Sequence, residues 1–256
     1  MGDPLNDIRW KLWRARKHHE ALGEVVDVFL KSNFYRTAGK QDRNGRLVER
    51  VIEVDPPPPL WGVLVSDCAH QLRSVLDHLL FLLANPATER EETNLQFPIC
   101  STRKAWHNAQ WRMPGTTRAV RSVIDELQPY HRRKWPETFV LAQLREINNW
   151  DKHRALLAST AFGEVRNLTA TPSAGTSVRG TESFRGLIKP GALFSRVEME
   201  NSSHGDHVYV HRHLAKQAVF AYGTPGEIRG KPIRATLASI GNFIEGEVVP
   251  RFERLL

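Results

Sequence analysis

Carboxylate and imidazole side chains recur along one face of a predicted helix between residues 60 and 85. At 100° per residue, one arc of this helix is apolar, and the opposite arc holds Asp67, His70, Gln71, Ser74, Asp77 and His78. Apolar residues, Val63 before the polar arc and Phe81 after it, predict that the polar residues lie in a groove. Carboxylate and imidazole groups in a partly dry site are what general acid–base catalysis uses.

The apolar face of a second predicted helix, which follows Pro136, is interrupted by Asn148, Asp151 and Lys152. A buried Asp or Lys costs several kcal/mol unless it is paired, so we expect partners on another helix. The sequence therefore predicts that the polar residues of the two helices converge in one site, to which His19 of the first helix could add an imidazole. A buried network that only fixes the register of the helices would use the same residues, and this alternative is open.

The elements that must position these residues indicate an α+β fold in a single domain, residues 1–256. Apolar residues at helical spacing predict four long helices, and Asn44-Gly45 between alternating residues predicts a β-hairpin. We expect a four-helix bundle core with a small antiparallel sheet. The predicted helices span about 4–31, 60–85, 137–158 and 232–255, the hairpin about 34–54, and a β-meander about 160–225.

Composition excludes several classes of protein. With 41% hydrophobic and 25% charged residues, the 256-residue chain is neither disordered nor fibrous. It lacks the roughly 18-residue apolar run of a membrane span, so we expect no membrane partner and a cytoplasmic location. Its two cysteines give neither a disulfide framework nor a Cys-x-x-Cys metal site.

The formal net charge of +8 is concentrated in residues 103–134 and on the first helix. Aromatic residues accompany the basic residues, among them Trp111 within this segment and Trp135 directly after it. Cations that neutralise phosphates and rings that stack on bases are typical of nucleic-acid binding, so we expect RNA or another phosphate-bearing ligand. The alternative is a basic surface loop that its Trp side chains anchor to the helices. The predicted contact residues are Arg112, Arg118, Arg121, Arg132, Arg133 and Lys134.

The sequence contains SDCAHQLRSVLDH at 66–78, FP at 97–98, LQPY at 127–130 and DKHR at 151–154. These four strings resemble a family of uncharacterised bacterial and phage proteins. The family pattern reads roughly G-D-x-x-H-N-L-R-S-x-L-D-H, followed by F-P, L-Q-P-Y and D-K-H-R. Here Ser66 replaces the glycine and Gln71 replaces the asparagine. The resemblance covers most of the chain and implies no activity.

Arg73 and His78 also resemble the Arg and His of HEPN-type ribonucleases, which are helical bundles with four to six residues between the two. This resemblance implies a metal-independent ribonuclease or RNA-binding protein, without cofactor, that acts as a homodimer. In it the His acts on the ribose 2′-hydroxyl or leaving group, and the Arg steadies the phosphate. Ser74 departs from the Asn, Asp or His that this family prefers after the Arg. The predicted catalytic residues are Arg73, His78, His70, Asp77, Asp67, Asp151 and Lys152.

Two other functions remain open. The first is a hydrolase or other metal-linked enzyme that acts on a small molecule through the same Asp and His residues, because Asp67-x-x-His70 has the spacing of a ligand pair for a single divalent metal ion. On a predicted strand, His207, His211 and His213 share a face and could hold zinc. The second function is a non-catalytic bundle that dimerises or binds a ligand. A phosphate-binding loop, a nucleophile elbow and a zincin motif are all missing from the sequence.

Overall fold

A computed structural model describes residues 3–132, 134–153, 159–172, 177–200, 208–221, 224 and 226–256. For residues 151–153, 159 and 208 it describes the backbone alone. The contacts divide the chain into two compact units. The helical unit comprises Met1–Val25, Pro59–Ala158 and Phe220–Leu256, and the strand unit comprises Val26–Pro58 and Ser159–Val219. The chain is thus a mixed α+β protein.

The helices follow the apolar periodicity of the sequence, and three of the four predicted long helices appear with shifted ends. The described α-helices are α1 (Asn6–Lys31), α2 (Leu60–Leu82), α3 (Glu89–Thr93), α4 (Arg103–Asn108), α5 (Arg118–Glu126), α6 (Val140–His153), α7 (Ile233–Phe243) and α8 (Val249–Glu253). Single turns of 3-10 helix occur at Gln110–Arg112, Pro129–His131 and Pro136–Thr138. Residues 154–158, where the third long helix was expected to end, lie outside the described residues.

The predicted helix over residues 232–255 is interrupted. A π-helical turn, Ile244–Val248, separates α7 from α8, and Pro250 follows it in the first turn of α8. Proline has no backbone N–H, and its ring clashes with the carbonyl one turn earlier, so a regular α-helix cannot continue through it. The apolar spacing predicted the buried face correctly but gave no sign of this change in helical geometry.

The core of the helical unit lies between α2, α6 and α7, which pack against one another in pairs. Each contributes apolar side chains at helical spacing to this core. The α1 helix joins them at least at Ala15, whose carbonyl oxygen accepts from Cys68 Sγ at 3.4 Å. Fully buried examples are Ile8 and Leu22 of α1, Val65, Leu76 and Leu80 of α2, Leu141 and Ile147 of α6, and Leu237 and Ile240 of α7.

The strand unit contains two antiparallel sheets, in the orders β1-β2-β6-β4 and β5-β3-β7. The hairpin of β1 and β2 is confirmed; Gly45 in its turn has a φ of 75°, which favours glycine. Strand β6 pairs with β2, so later strands join the hairpin in one sheet instead of forming a separate meander. The strands are β1 (Tyr35–Gln41), β2 (Leu47–Val54), β3 (Ser159–Pro172), β4 (Ser177–Ser183), β5 (Arg185–Leu187), β6 (Leu193–Glu200) and β7 (Val208–Phe220).

In the part of the chain that the structure describes, no helix is both long and apolar enough to cross a membrane.

Candidate functional site

The Arg73 side chain lies inside the helical unit, where it contacts Asp77 and the backbone of Phe97. Its Nε donates to Asp77 Oδ2 at 3.2 Å, and its Nη2 donates to Asp77 Oδ1 at 2.7 Å. The same Nη2 donates to the carbonyl oxygen of Phe97, whose N–H donates to Asp77 Oδ1 at 2.8 Å. Because residues four apart are neighbours on a helix, α2 presents Arg73 and Asp77 together. They bind both backbone polar groups of Phe97.

Side chains from two other parts of the chain hold the rest of this extended segment, residues 97–100, which we call the clamped segment. Gln128 is 1% exposed; its Oε1 accepts the N–H of Cys100 at 2.8 Å, and its Nε2 donates to the Pro98 carbonyl at 3.0 Å. Arg145 Nη1 donates to the carbonyl oxygen of Ile99 at 3.1 Å. Buried polar groups of a segment without regular structure are therefore satisfied by side chains.

This arrangement brings together three of the sequence strings quoted above. Arg73 and Asp77 from the first string and Gln128 from the third all bind the segment that contains the second string, Phe97-Pro98. The Arg73 side chain is only 9% exposed, so a substrate phosphate could reach its guanidinium only by displacing these contacts. A catalytic role for Arg73 and Asp77 stays a prediction.

The other predicted catalytic residues of α2 lie at the surface. Asp67, His70 and His78 are exposed, so these three do not form the partly dry groove that the apolar flanks predicted. The flanking Val63 and Phe81 are themselves 38% and 53% exposed, which explains the difference. The apolar residues beside the polar arc do not cover it.

Residues of α1 face this exposed side of α2. His18 Nδ1 lies 3.8 Å from Asp67 Oδ2. Partial burial lowers the pKa of His18, and Asp67 opposes this shift. The pKa of His78 is also lowered, by the partial desolvation of its more exposed ring and by the charge of Lys11, and Asp7 and Asp77 oppose this shift. Both imidazoles therefore favour the neutral form, which can accept a proton.

The predicted convergence with α6 falls largely outside the described side chains. Asn148 is buried, as expected from its place on the apolar face. The backbones of Asp151 and Lys152 belong to α6, but their side chains lie outside the described part of the structure. Their meeting with Asp77 or His78 stays a prediction.

Within the described residues, no group of three or more His, Cys, Asp or Glu side chains is arranged to hold a metal ion. On β7, His211 and His213 are both exposed. His207, the third residue of the predicted zinc set, lies outside the described residues. The metal-linked alternative therefore has no described ligand set and stays a prediction.

The basic segment, residues 103–135, contains the residues predicted to bind nucleic acid. Arg118, Arg132 and Lys134 are exposed, as are Arg103 and Lys104. Across the described residues, none of these five side chains forms an ion pair with a carboxylate of the protein. Arg133 lies outside the described residues. The basic segment thus keeps several cations available for an external anion.

Two of the predicted contact residues make contacts within the segment. Arg121 Nε donates to Thr116 Oγ1 at 2.9 Å and its Nη2 to the Met113 carbonyl at 3.1 Å, so Arg121 holds the turn before α5. The Arg112 guanidinium lies 5.3 Å from the ring centre of Trp111, a cation–π geometry.

The tryptophans of the basic segment divide between the two expected roles. Trp106 is 7% exposed and anchors α4 to the helical unit, as the surface-loop alternative predicts. Trp111 and Trp135 are 59% and 73% exposed, so they anchor nothing. Trp135 also has a φ of 57°, a left-handed conformation that is unusual for a bulky residue. An exposed ring in such a conformation is a feature of binding sites.

Two arginines, Arg112 and Arg145, lie near the end of the clamped segment. Burial raises the pKa of the Cys100 thiol, and the nearby guanidinium groups of Arg112 and Arg145 oppose this shift. The buried atoms Ser101 Oγ and Arg112 Nε find no hydrogen-bond partner among the described residues. Arg145 is already paired with Glu146 at 2.9 Å, so Arg112 is the guanidinium here that has no ion pair among the described residues. The sequence gave no signal for Arg145, because the fold brings it to Ile99 from 46 residues away.

Comparisons with protein family models, with curated proteins and with solved structures find no match to this chain.

Proposed function

We propose that the helical unit binds single-stranded RNA through its basic segment. The observation that carries the proposal is the state of the segment's charged and aromatic side chains. Among the described residues, none of six cations forms an ion pair with a carboxylate, and two Trp rings of the segment, Trp111 and Trp135, are more than half exposed. The cations are Arg103, Lys104, Arg112, Arg118, Arg132 and Lys134.

Unpaired cations favour a polyanion. Each phosphate that they neutralise releases condensed counterions, which supplies affinity that falls as the salt concentration rises. Acidic side chains of the segment do not compete strongly. Asp125 accepts hydrogen bonds from Tyr130 and His131, and Glu126 pairs with Arg251 at 3.2 Å. The positive charge of the basic segment is therefore not cancelled locally.

The exposed rings favour a nucleic acid over an acidic protein. Every base has a flat face that can stack on an aromatic side chain, and this stacking is tolerant of sequence. The Arg112 guanidinium lies over the Trp111 ring and places a positive charge beside a ring on which a base can stack. Single strands expose their bases for this contact, whereas a duplex hides them.

The assay is fluorescence anisotropy of a short fluorescein-labelled oligo-uridine RNA with the full chain. We expect Trp111→Ala and Trp135→Ala each to weaken binding by roughly 5-fold to 150-fold, because a base stacked on an aromatic ring contributes roughly 1–3 kcal/mol. The matched control is Trp10→Ala, since Trp10 is 60% exposed but lies on α1. Absence of binding by the wild type, or an equal loss with Trp10→Ala, contradicts the proposal.

The salt dependence provides a second test. For a single strand the slope of log K against log salt is about −0.7 per neutralised phosphate, so Arg118→Gln should make the slope shallower by about 0.7. Arg90→Gln, which removes an exposed arginine of α3 outside the basic segment, should leave it unchanged. An unchanged slope with Arg118→Gln removes this residue from the contact set.

Cleavage of the RNA and homodimer formation are further parts of the HEPN-like hypothesis. The neutral form of His78 that its lowered pKa favours supports a proton-accepting role. If His78 acts on the 2′-hydroxyl, His78→Ala abolishes cleavage in EDTA while RNA affinity stays at the wild-type level. Wild-type protein that leaves the RNA intact contradicts cleavage, and a monomer mass in light scattering contradicts the dimer.

A further inference from the structure

The strand unit contains an open pocket of about 610 Å3 that none of the sequence motifs predicted. It lies between the start of β1, the end of β2, one face of β7 and the residues that follow α1. Its volume falls within the range of small-molecule sites. Four basic and two acidic residues line it.

Two lysines line this pocket: Lys31 is exposed, whereas Lys216 on β7 is held over two aromatic rings. Its Nζ lies 5.3 Å from the ring centre of Phe34 and 5.8 Å from that of Tyr35. The side chain is partly buried, and within the described residues no carboxylate lies within ion-pair distance of it. Burial lowers the pKa of Lys216, and no nearby acidic group offsets this effect. The described residues therefore supply no counter-ion to this ammonium group.

Other charges at the pocket are already paired or open to solvent. Arg36 forms an ion pair with Glu53, and Arg212 Nη2 donates to Glu49 at 2.6 Å. Asp55, the remaining carboxylate of the wall, is exposed and has no ion pair among the described residues. Lys216 is thus the partly buried cation of the pocket that an external anion can satisfy.

At the end of α1, the carbonyl oxygen of Phe29 is already hydrogen-bonded, so it does not face an incoming anion as a free acceptor. Ser32 donates to the Phe29 carbonyl oxygen through its backbone N–H at 3.1 Å and through its hydroxyl at 2.7 Å. The Asn33 side-chain amide lines the same wall and can donate to a ligand oxygen, whereas the Thr37 hydroxyl already donates to Glu49 Oε1 at 2.6 Å.

We propose that this pocket binds a small organic anion, whose carboxylate or phosphate group pairs with Lys216 above the rings of Phe34 and Tyr35. An ammonium group paired with an anionic oxygen makes a charge-assisted hydrogen bond, which is strong where water is partly excluded. The cation–π contacts fix the position of Nζ before the ligand arrives. This site belongs to the strand unit and does not depend on RNA binding by the helical unit.

The test uses the isotope-labelled full chain and NMR titration with two probes, inorganic phosphate and citrate, at constant ionic strength. We expect saturable shifts of backbone amides at Tyr35, Thr37 and Lys216 with at least one probe, and the probe that binds identifies the anionic group. Lys216→Met, which keeps the aliphatic chain over the rings, should weaken binding about tenfold or more. Lys216→Arg, which retains the charge, should restore part of the affinity.

The matched control is Lys189→Met, because Lys189 is an exposed lysine of the same unit outside the pocket. It should bind the probe like the wild type. Three results overturn the proposal: no saturable shifts with either probe in the wild type, shifts that saturate elsewhere in the chain, or an equal loss with Lys189→Met. The wild-type titration decides the matter even if Lys216→Met fails to fold.

Discussion

Replacing Arg73 by Met separates a structural role of this residue from a catalytic one. The substitution keeps an unbranched apolar side chain but removes the guanidinium. It deletes the bonds to both carboxylate oxygens of Asp77 and to the Phe97 carbonyl. Asp77 is left as a partly buried charge with the Phe97 N–H as its remaining described donor.

The size of the effect follows from burial. Removing one partner of a fully buried ion pair costs roughly 3–5 kcal/mol, because the other charge is left uncompensated. Here Arg73 is 9% exposed but Asp77 is 31% exposed, so water can hydrate part of the carboxylate. We therefore expect a loss of about 3 kcal/mol, which lowers Tm by roughly 6–12 °C in a chain of this length.

Thermal unfolding followed by circular dichroism measures this loss. Asp77→Asn should cost less, because the amide oxygen can still accept the Phe97 N–H and no unpaired carboxylate remains. The control is Arg16→Met, which breaks an ion pair with Glu245 whose two side chains are 53% and 49% exposed; it should cost less than about 1 kcal/mol. If Arg73→Met keeps the Tm of the wild type but no longer cleaves RNA, the structural explanation is refuted and the catalytic role is favoured.

Three further outcomes test the environment of single residues. Gln128→Leu should lower stability by roughly 1–3 kcal/mol in chemical denaturation, because buried backbone groups of the clamped segment lose their partners; a smaller change means that water replaces the amide. Burial raises the pKa of Cys68 to about 12. At about pH 8 this thiol should therefore resist iodoacetamide in the native protein and react in the unfolded protein. Rapid labelling of Cys68 in the native protein would contradict its burial. The pKa of His18 is lowered from 6.5 in the folded state, so the unfolded state binds more protons and stability falls as the pH drops below about 6.5. His18→Gln should therefore reduce the decrease in Tm between about pH 8 and 5. If the decrease in Tm is unchanged, other groups cause it.

Local sequence patterns were sufficient to predict much of the secondary structure. The spacing of Ile8, Leu12 and Leu22 indicated α1, and each of these side chains is buried. Asn44-Gly45 indicated the hairpin, because Gly45 accepts the positive φ that the turn requires. These predictions succeeded because the signal and the structure it predicts lie within the same few residues.

Long-range pairing was beyond the reach of the same patterns. Strand β2 pairs with β6 across nearly 150 residues, and neither strand carries a residue that specifies its partner. The clamped segment is similar, since Gln128 and Arg145 reach it from distant parts of the chain. A helical wheel also cannot tell whether a polar arc faces solvent or another helix, which is why the groove predicted around His70 was not found.

The string on α2 that suggested catalysis separates into two sets of residues with different physical explanations. Arg73 and Asp77 face inward, and their contacts with Phe97 account for their four-residue spacing without any substrate. Asp67, His70 and His78 face outward, and packing gives no reason for two imidazoles and a carboxylate on that side. A chemical role within α2 is therefore better sought among the exposed residues than in the Arg73–Asp77 pair. The cations and rings of the basic segment likewise lack a packing explanation, and for that reason they carry the RNA-binding proposal.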